Sequence, residues 1–138
     1  MRKLKSLKTL SQVIFASAIF DIVGGIYFMV LVGESRTITT PATHNFYAIL
    51  LGMFLLCFAY LQILIAQDIR RYFKLIGAAL LSRVSYVVLF SYYFINVEEG
   101  MVTFLPTAIA DALWVILIVT LVAFNNEFSF KDLILKRE

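Results

Sequence analysis

Three charged residues stand where charge is costly. Asp21 lies within VIFASAIFDIVGGIYFMVLV, Arg83 within LIGAALLSRVSYVVLFSYYF and Asp111 within FLPTAIADALWVILIVTLVAF, each the lone charge of an apolar run. A guanidinium near the centre of a bilayer costs several kcal/mol unless it snorkels to the headgroups, meets a carboxylate or lines a wet cavity. Ionisable groups at that depth mark ligand, ion or proton paths by default, and a carboxyl can also serve as general acid or base. Asp21, Arg83 and Asp111 together form a cluster of net charge −1 when both acids are ionised, which suits a cationic or proton-exchanging ligand. The competing reading is a clamp, with Arg83 paired to one acid to fix helix register; buried ion pairs often do no more than this. Tyr86 and Trp114 are polar aromatics close enough in sequence to line a pocket around the cluster, and Gln62 is the strong polar group of a further apolar run. Its plain role is a helix-to-helix amide hydrogen bond, and its sharper one is a ligand contact.

The elements that must position these residues are membrane helices. With 62% hydrophobic and 15% charged residues among 138, and a mean hydropathy of +0.90, the chain is too apolar for an ordinary soluble domain. Spanning the hydrocarbon takes about 20 apolar residues at about 1.5 Å each. The sequence supplies four such runs, at 12–32, 46–66, 75–94 and 104–124. They predict a single all-α domain over 1–138, an integral membrane antiparallel four-helix bundle, with 1–10 and 125–138 as interfacial segments. In the first of these, Leu4, Leu7 and Leu10 alternate with basic residues, as in a ramp with its apolar side on the membrane; Phe130, Leu133 and Ile134 of the tail could rest on the headgroups in the same way. Ser17, Ala18, Gly24 and Gly25 share the face of Asp21, and Ala48 and Gly52 lie four apart on the second helix, which allows backbones to approach closely. The polar stretch after the first run places an N-cap at Thr40 and a first helical residue at Pro41, while Pro106 falls in the first turn of the last helix. In the turn QDIRRYFK, Asp68 and Arg71 stand at pairing distance in sequence.

Ten of the twelve Lys and Arg flank one side: four at the N-terminus, three in the turn between the second and third runs, and three in the tail. Arg36 stands alone on the other side. By the positive-inside rule both termini are cytoplasmic. Entering from that side, Asp21 and Arg83 are each about 12 Å deep, and Asp111 is about 20 Å above the inner face, within reach of a long side chain.

Composition also excludes. One cysteine, Cys57, rules out an internal disulfide or a CxxC thiol oxidoreductase; one histidine, His44, rules out a bis-histidine haem bundle. No cofactor or metal motif is present. The formal charge of +3 belongs to residues flanking the apolar runs, which points to anionic lipid headgroups as partner, not nucleic acid. A small amphipathic ligand is the other expected partner, and a homo-oligomer is left open.

The stretch FYAILLGMFLLCFAYLQILIAQDIRRY, the arginine of GAALLSRVSY and the segment IADALWVILIV resemble the small four-helix bacterial proteins grouped as DoxX-like or BphX-like, over about residues 11–124. The resemblance implies a four-helix bundle in a bacterial inner membrane, and for most members no assigned activity. The quinone-linked sulfur chemistry of DoxX-type proteins proper has no counterpart in these residues. The expected function is therefore ligand binding or an accessory role at the Asp/Arg/Asp site. Alternatives are a proton-coupled small-molecule transporter protomer or, by analogy with the EXPERA group, a membrane isomerase; the chain shows no recognisable nucleophile.

Overall fold

Four helices make up most of the residues described in the computed structural model, which are 2–32, 45–96, 104–125 and 133. They are α1 (Arg2–Ile26), α2 (Asn45–Gln67), α3 (Phe73–Asn96) and α4 (Leu105–Ala123), and α1 continues into a π-helical segment, Tyr27–Val32. Leu7–Val30, Ala48–Gln67, Phe73–Asn96 and Leu105–Ala123 are each long and apolar enough to cross a membrane. This is the pattern of a multi-pass membrane protein. Phe15, Val23, Phe54, Leu81 and Ile116 are exposed over 48–68% of their surface. Such an outer face is a liability in water and a fit to acyl chains.

Each helix packs on two others, α1 on α2 and α4, and α3 on α4 and α2, so the four close into a bundle. The tightest seam is between α1 and α2. A Cβ at Gly25 would lie 2.9 Å from the Gly52 carbonyl oxygen, and a Cβ at Gly52 would lie 2.6 Å from that of Gly25. Only the missing side chains let the two backbones meet, as the small-residue spacing predicts. Along this seam Ser11 Oγ donates to the Ala66 carbonyl (2.6 Å), Ser17 meets Gln62 and Gly25 meets Gly52.

At one end the interior is filled. Leu7, Leu10 and Ile14 of α1, Ile65 of α2, Ile69, Phe73, Ile76 and Leu80 around the start of α3, and Ile118 and Val122 of α4 form one buried cluster. Residues 2–10 are the first turns of α1 itself, and Leu7 and Leu10 are buried in the bundle (7% and 0% exposed), because the C-terminal part of α2 and its turn into α3 offer them a closer apolar surface than the headgroup layer. Leu133, the one described residue beyond 125, also packs against this cluster, its carbonyl oxygen 3.3 Å from where a Cβ on Gly77 would sit. Phe130 and Ile134 lie outside the described residues, as do Thr40, Pro41 and the Glu98–Glu99 loop.

Five residues connect α2 to α3. Asp68 accepts from the backbone N–H of Arg71 (3.1 Å), so it is through its main chain that Arg71 answers Asp68, and the Arg71 guanidinium lies over the Tyr72 ring, 5.4 Å from its centre. At the start of α4, Pro106 occupies the first turn, where its missing N–H removes no helical bond.

Candidate functional site: a charge network beside a cavity

Where the filled end stops, all four helices contribute one polar side chain or two. α1 brings Ser17 and Asp21, four residues apart and so on one face; α2 brings Gln62, α3 Arg83 and α4 Asp111. Arg83 Nη2 donates to Asp21 Oδ2 (2.6 Å) and to Ser17 Oγ (2.7 Å). Ser17 Oγ donates to Gln62 Oε1 (2.6 Å), and Gln62 Nε2 donates to Asp21 Oδ2 (2.5 Å). These bonds close a ring of four side chains across α1, α2 and α3. From the same guanidinium, Nη1 donates to Asp111 Oδ1 and ties in α4.

Burial is nearly complete. Ser17, Asp21, Gln62 and Arg83 are 0%, 2%, 2% and 4% exposed, and the Asp111 side chain 15%. Removing such charges from water is tolerable only with opposite charge and hydrogen bonds close by. The satisfaction is incomplete: Arg83 Nε is buried with no hydrogen-bond partner among the described residues, a group that ordinarily costs about 1–3 kcal/mol.

Beside the network is a cavity of about 290 Å³. Phe20, Asp21, Gly24 and Phe28 form its α1 wall; Ser82, Arg83 and Tyr86 form its α3 wall. From α2 come Leu51, Phe54, Leu55 and Phe58, an apolar stripe at helical spacing, and Thr107 comes from α4. Polar groups thus stand on the α1, α3 and α4 sides and face an aromatic wall. Phe54 is 63% exposed and Ser82 is exposed as well, which puts the mouth of the cavity at the bundle surface between α2 and α3. Tyr86 shares a hydrogen bond with Thr107 (2.8 Å), and Thr107 donates to the Phe104 carbonyl (2.7 Å). Tyr86 and Leu51 also border a second cavity of about 340 Å³, walled further by Leu89, Phe90, Tyr93 and Phe104.

Of the residues singled out from sequence, Asp21, Arg83, Asp111 and Gln62 meet in one network. Asp21, Arg83 and Tyr86 line the cavity beside the network. Asp111 touches Arg83 but is not part of that wall, Gln62 borders a smaller pocket of about 50 Å³ with Leu61 and Ile65, and Trp114 turns its ring to Phe20 (6.4 Å between centres). Ser17 and Thr107 were missed as polar participants. Ser17 was legible only as a small residue near Asp21, although its hydroxyl at the i−4 position carried the signal; Thr107 had none stronger than its place in the first turn of α4. Among the described residues no three His, Cys, Asp or Glu side chains group as a metal ion would require. Compared with known proteins, the chain matches no family model, no curated protein and no solved structure.

Proposed function

We propose that this protein binds a small amphipathic or lipid-like molecule, with the polar end at the Asp21–Arg83 wall and the apolar body against Leu51, Phe54, Leu55 and Phe58. One observation carries the reading: two members of a buried charge network form part of the wall of a cavity that is otherwise apolar and aromatic. Ligand sites take this form, mostly apolar with a few convergent polar groups. The Nε of Arg83, without a hydrogen-bond partner among the described residues, adds to it, since a clamp serving stability alone gains nothing from an unsatisfied donor. Entry is sideways from the acyl layer between α2 and α3, and an accessory role in a larger assembly uses the same site.

The bundle is antiparallel with both termini cytoplasmic. Rising residue numbers on α1 meet falling ones on α2 (Ser11 with Ala66, Ser17 with Gln62, Gly25 with Gly52); the five-residue α2–α3 connection supports the same arrangement, and ten of twelve Lys and Arg flank one side. The proposed location is a bacterial inner membrane, a reading supported only by the resemblance of the sequence to DoxX-like proteins, and reporter fusions at each terminus check the topology.

Native mass spectrometry of the purified protein tests the binding reading. Wild type should carry a bound amphiphile, and Gly24→Leu should not, because the new side chain projects into the cavity where a Cβ meets only Leu55, at 3.6 Å. A wild-type protein that binds no amphiphile, either as isolated or after incubation with candidate lipids, overturns the proposal. Proton-coupled flux in proteoliposomes, abolished by Asp21→Asn, would instead make the site that of a transporter.

A further inference from the structure

The charges around the cavity do not balance. Two carboxylates share one guanidinium, and the fourth element, α2, adds the uncharged amide of Gln62. Among the described residues, the one further titratable group on the wall of this cavity is the phenol of Tyr86, which is held by Thr107. In a low-dielectric interior an uncompensated charge is far more costly than a matched set. With both acids ionised the site holds one excess negative charge, which one positive charge completes.

Resting on the ligand-binding reading, we infer that the molecule this cavity takes is a cationic amphiphile: an apolar body whose head is a protonated amine. Gln62 and Arg83 both donate to Oδ2 of Asp21, which leaves Oδ1 as the acceptor for an incoming N–H. The rings of Phe20, Phe28, Phe54, Phe58 and Tyr86 surround the same space, and aromatic faces attract a desolvated cation within about 6 Å of their centres. A carboxylate head would add a second excess negative charge, and a neutral head would leave the first in place. The amine is thus the head whose arrival makes the ionised network neutral, with no rearrangement of the bonds that hold the helices together.

The test uses the full chain in detergent and a series of single-chain probes of one tail length: a primary amine, the corresponding alcohol and the corresponding carboxylic acid. Binding is measured by titration in native mass spectrometry. The amine should bind at least tenfold more tightly than the alcohol, with the acid weakest. Asp111→Asn, which removes one negative charge from the network at a residue that is not on the cavity wall, should erase the preference for the amine over the alcohol, and a preference that persists in the folded variant overturns the inference. Trp114 emission, unchanged from wild type, certifies that the variant is folded; should it not fold, the wild-type series alone decides. An alcohol or acid that binds as tightly as the amine overturns this inference while leaving the site itself standing. If no member of the series binds, the ligand-binding reading falls with it.

Discussion

Removing the guanidinium of Arg83 separates a network that holds the bundle from one that merely accompanies it. In Arg83→Met the carboxylates of Asp21 and Asp111 lose their shared counter-charge, and Ser17 loses a donor. Because the side chains of Arg83 and Asp21 are only 5% and 3% exposed, water cannot take over. Breaking a buried pair while leaving the partner in place costs about 3–5 kcal/mol, or roughly 10² to 10³·⁵ in the unfolding equilibrium at about 1.4 kcal/mol per tenfold. The assay is reversible unfolding in mixed micelles of rising sodium dodecyl sulfate content, followed by tryptophan emission. Trp114 is the single tryptophan, and its ring lies 6.4 Å from that of Phe20 on α1, so the signal changes when α1 and α4 part. The triple variant Arg83→Met, Asp21→Asn, Asp111→Asn should regain most of the loss, since no unpaired charge is left inside. The reasoning is refuted if Arg83→Met unfolds within about 0.5 kcal/mol of wild type, a change typical of an exposed pair. It is refuted equally if neutralising both acids restores nothing.

Four other substitutions probe three separate features. Gly52→Ala puts a methyl 2.6 Å from the Gly25 carbonyl oxygen and should destabilise by about 1–3 kcal/mol through overpacking, whereas Gly24→Ala, with its nearest neighbour at 3.6 Å, should be close to neutral in the same unfolding assay. Ser17→Ala deletes the hydroxyl that accepts from Arg83 and donates to Gln62; a loss of about 1–3 kcal/mol is expected for the buried partners left bare, measured by the same titration. Tyr86→Phe removes the bond to Thr107 and should cost only about 0.6 kcal/mol, the average for interhelical hydrogen bonds in membranes, so a loss above about 2 kcal/mol would mean that the phenol has a partner beyond Thr107.

The association of Asp21, Arg83 and Asp111 was legible because an apolar run makes each charge conspicuous, and because a helix in a bilayer converts residue count to depth. Counting from the inner face put Asp21 and Arg83 level, and they do meet; the length of the arginine side chain anticipated the reach to Asp111. Gln62 was legible on the same ground, as the one amide within the apolar run 46–66. What sequence could not give was azimuth. A residue's depth follows from its number, but which way it faces depends on how far each helix is rotated, and this separates Tyr86, on the cavity wall, from Trp114, packed on Phe20. The cavity itself is a property of loose packing between α2 and α3, and no single residue announces it. The leucines of the N-terminal basic stretch fit a membrane surface and a bundle interior equally well by pattern; Leu7 and Leu10 pack in one cluster with Ile65, Ile69 and Phe73.

The meeting of Gly25 and Gly52 carries a mechanical consequence. Main chain rests on main chain there, with Met29 and Leu56 packed on either side, so α1 and α2 form a single stiff strut. Breathing of the bundle is thereby confined to the opposite edge, where α3 can lean away from α2 while still fastened to α4. Amide hydrogen exchange should show this as a gradient, slowest around the two glycines and fastest in the turns of α3 beyond Tyr86.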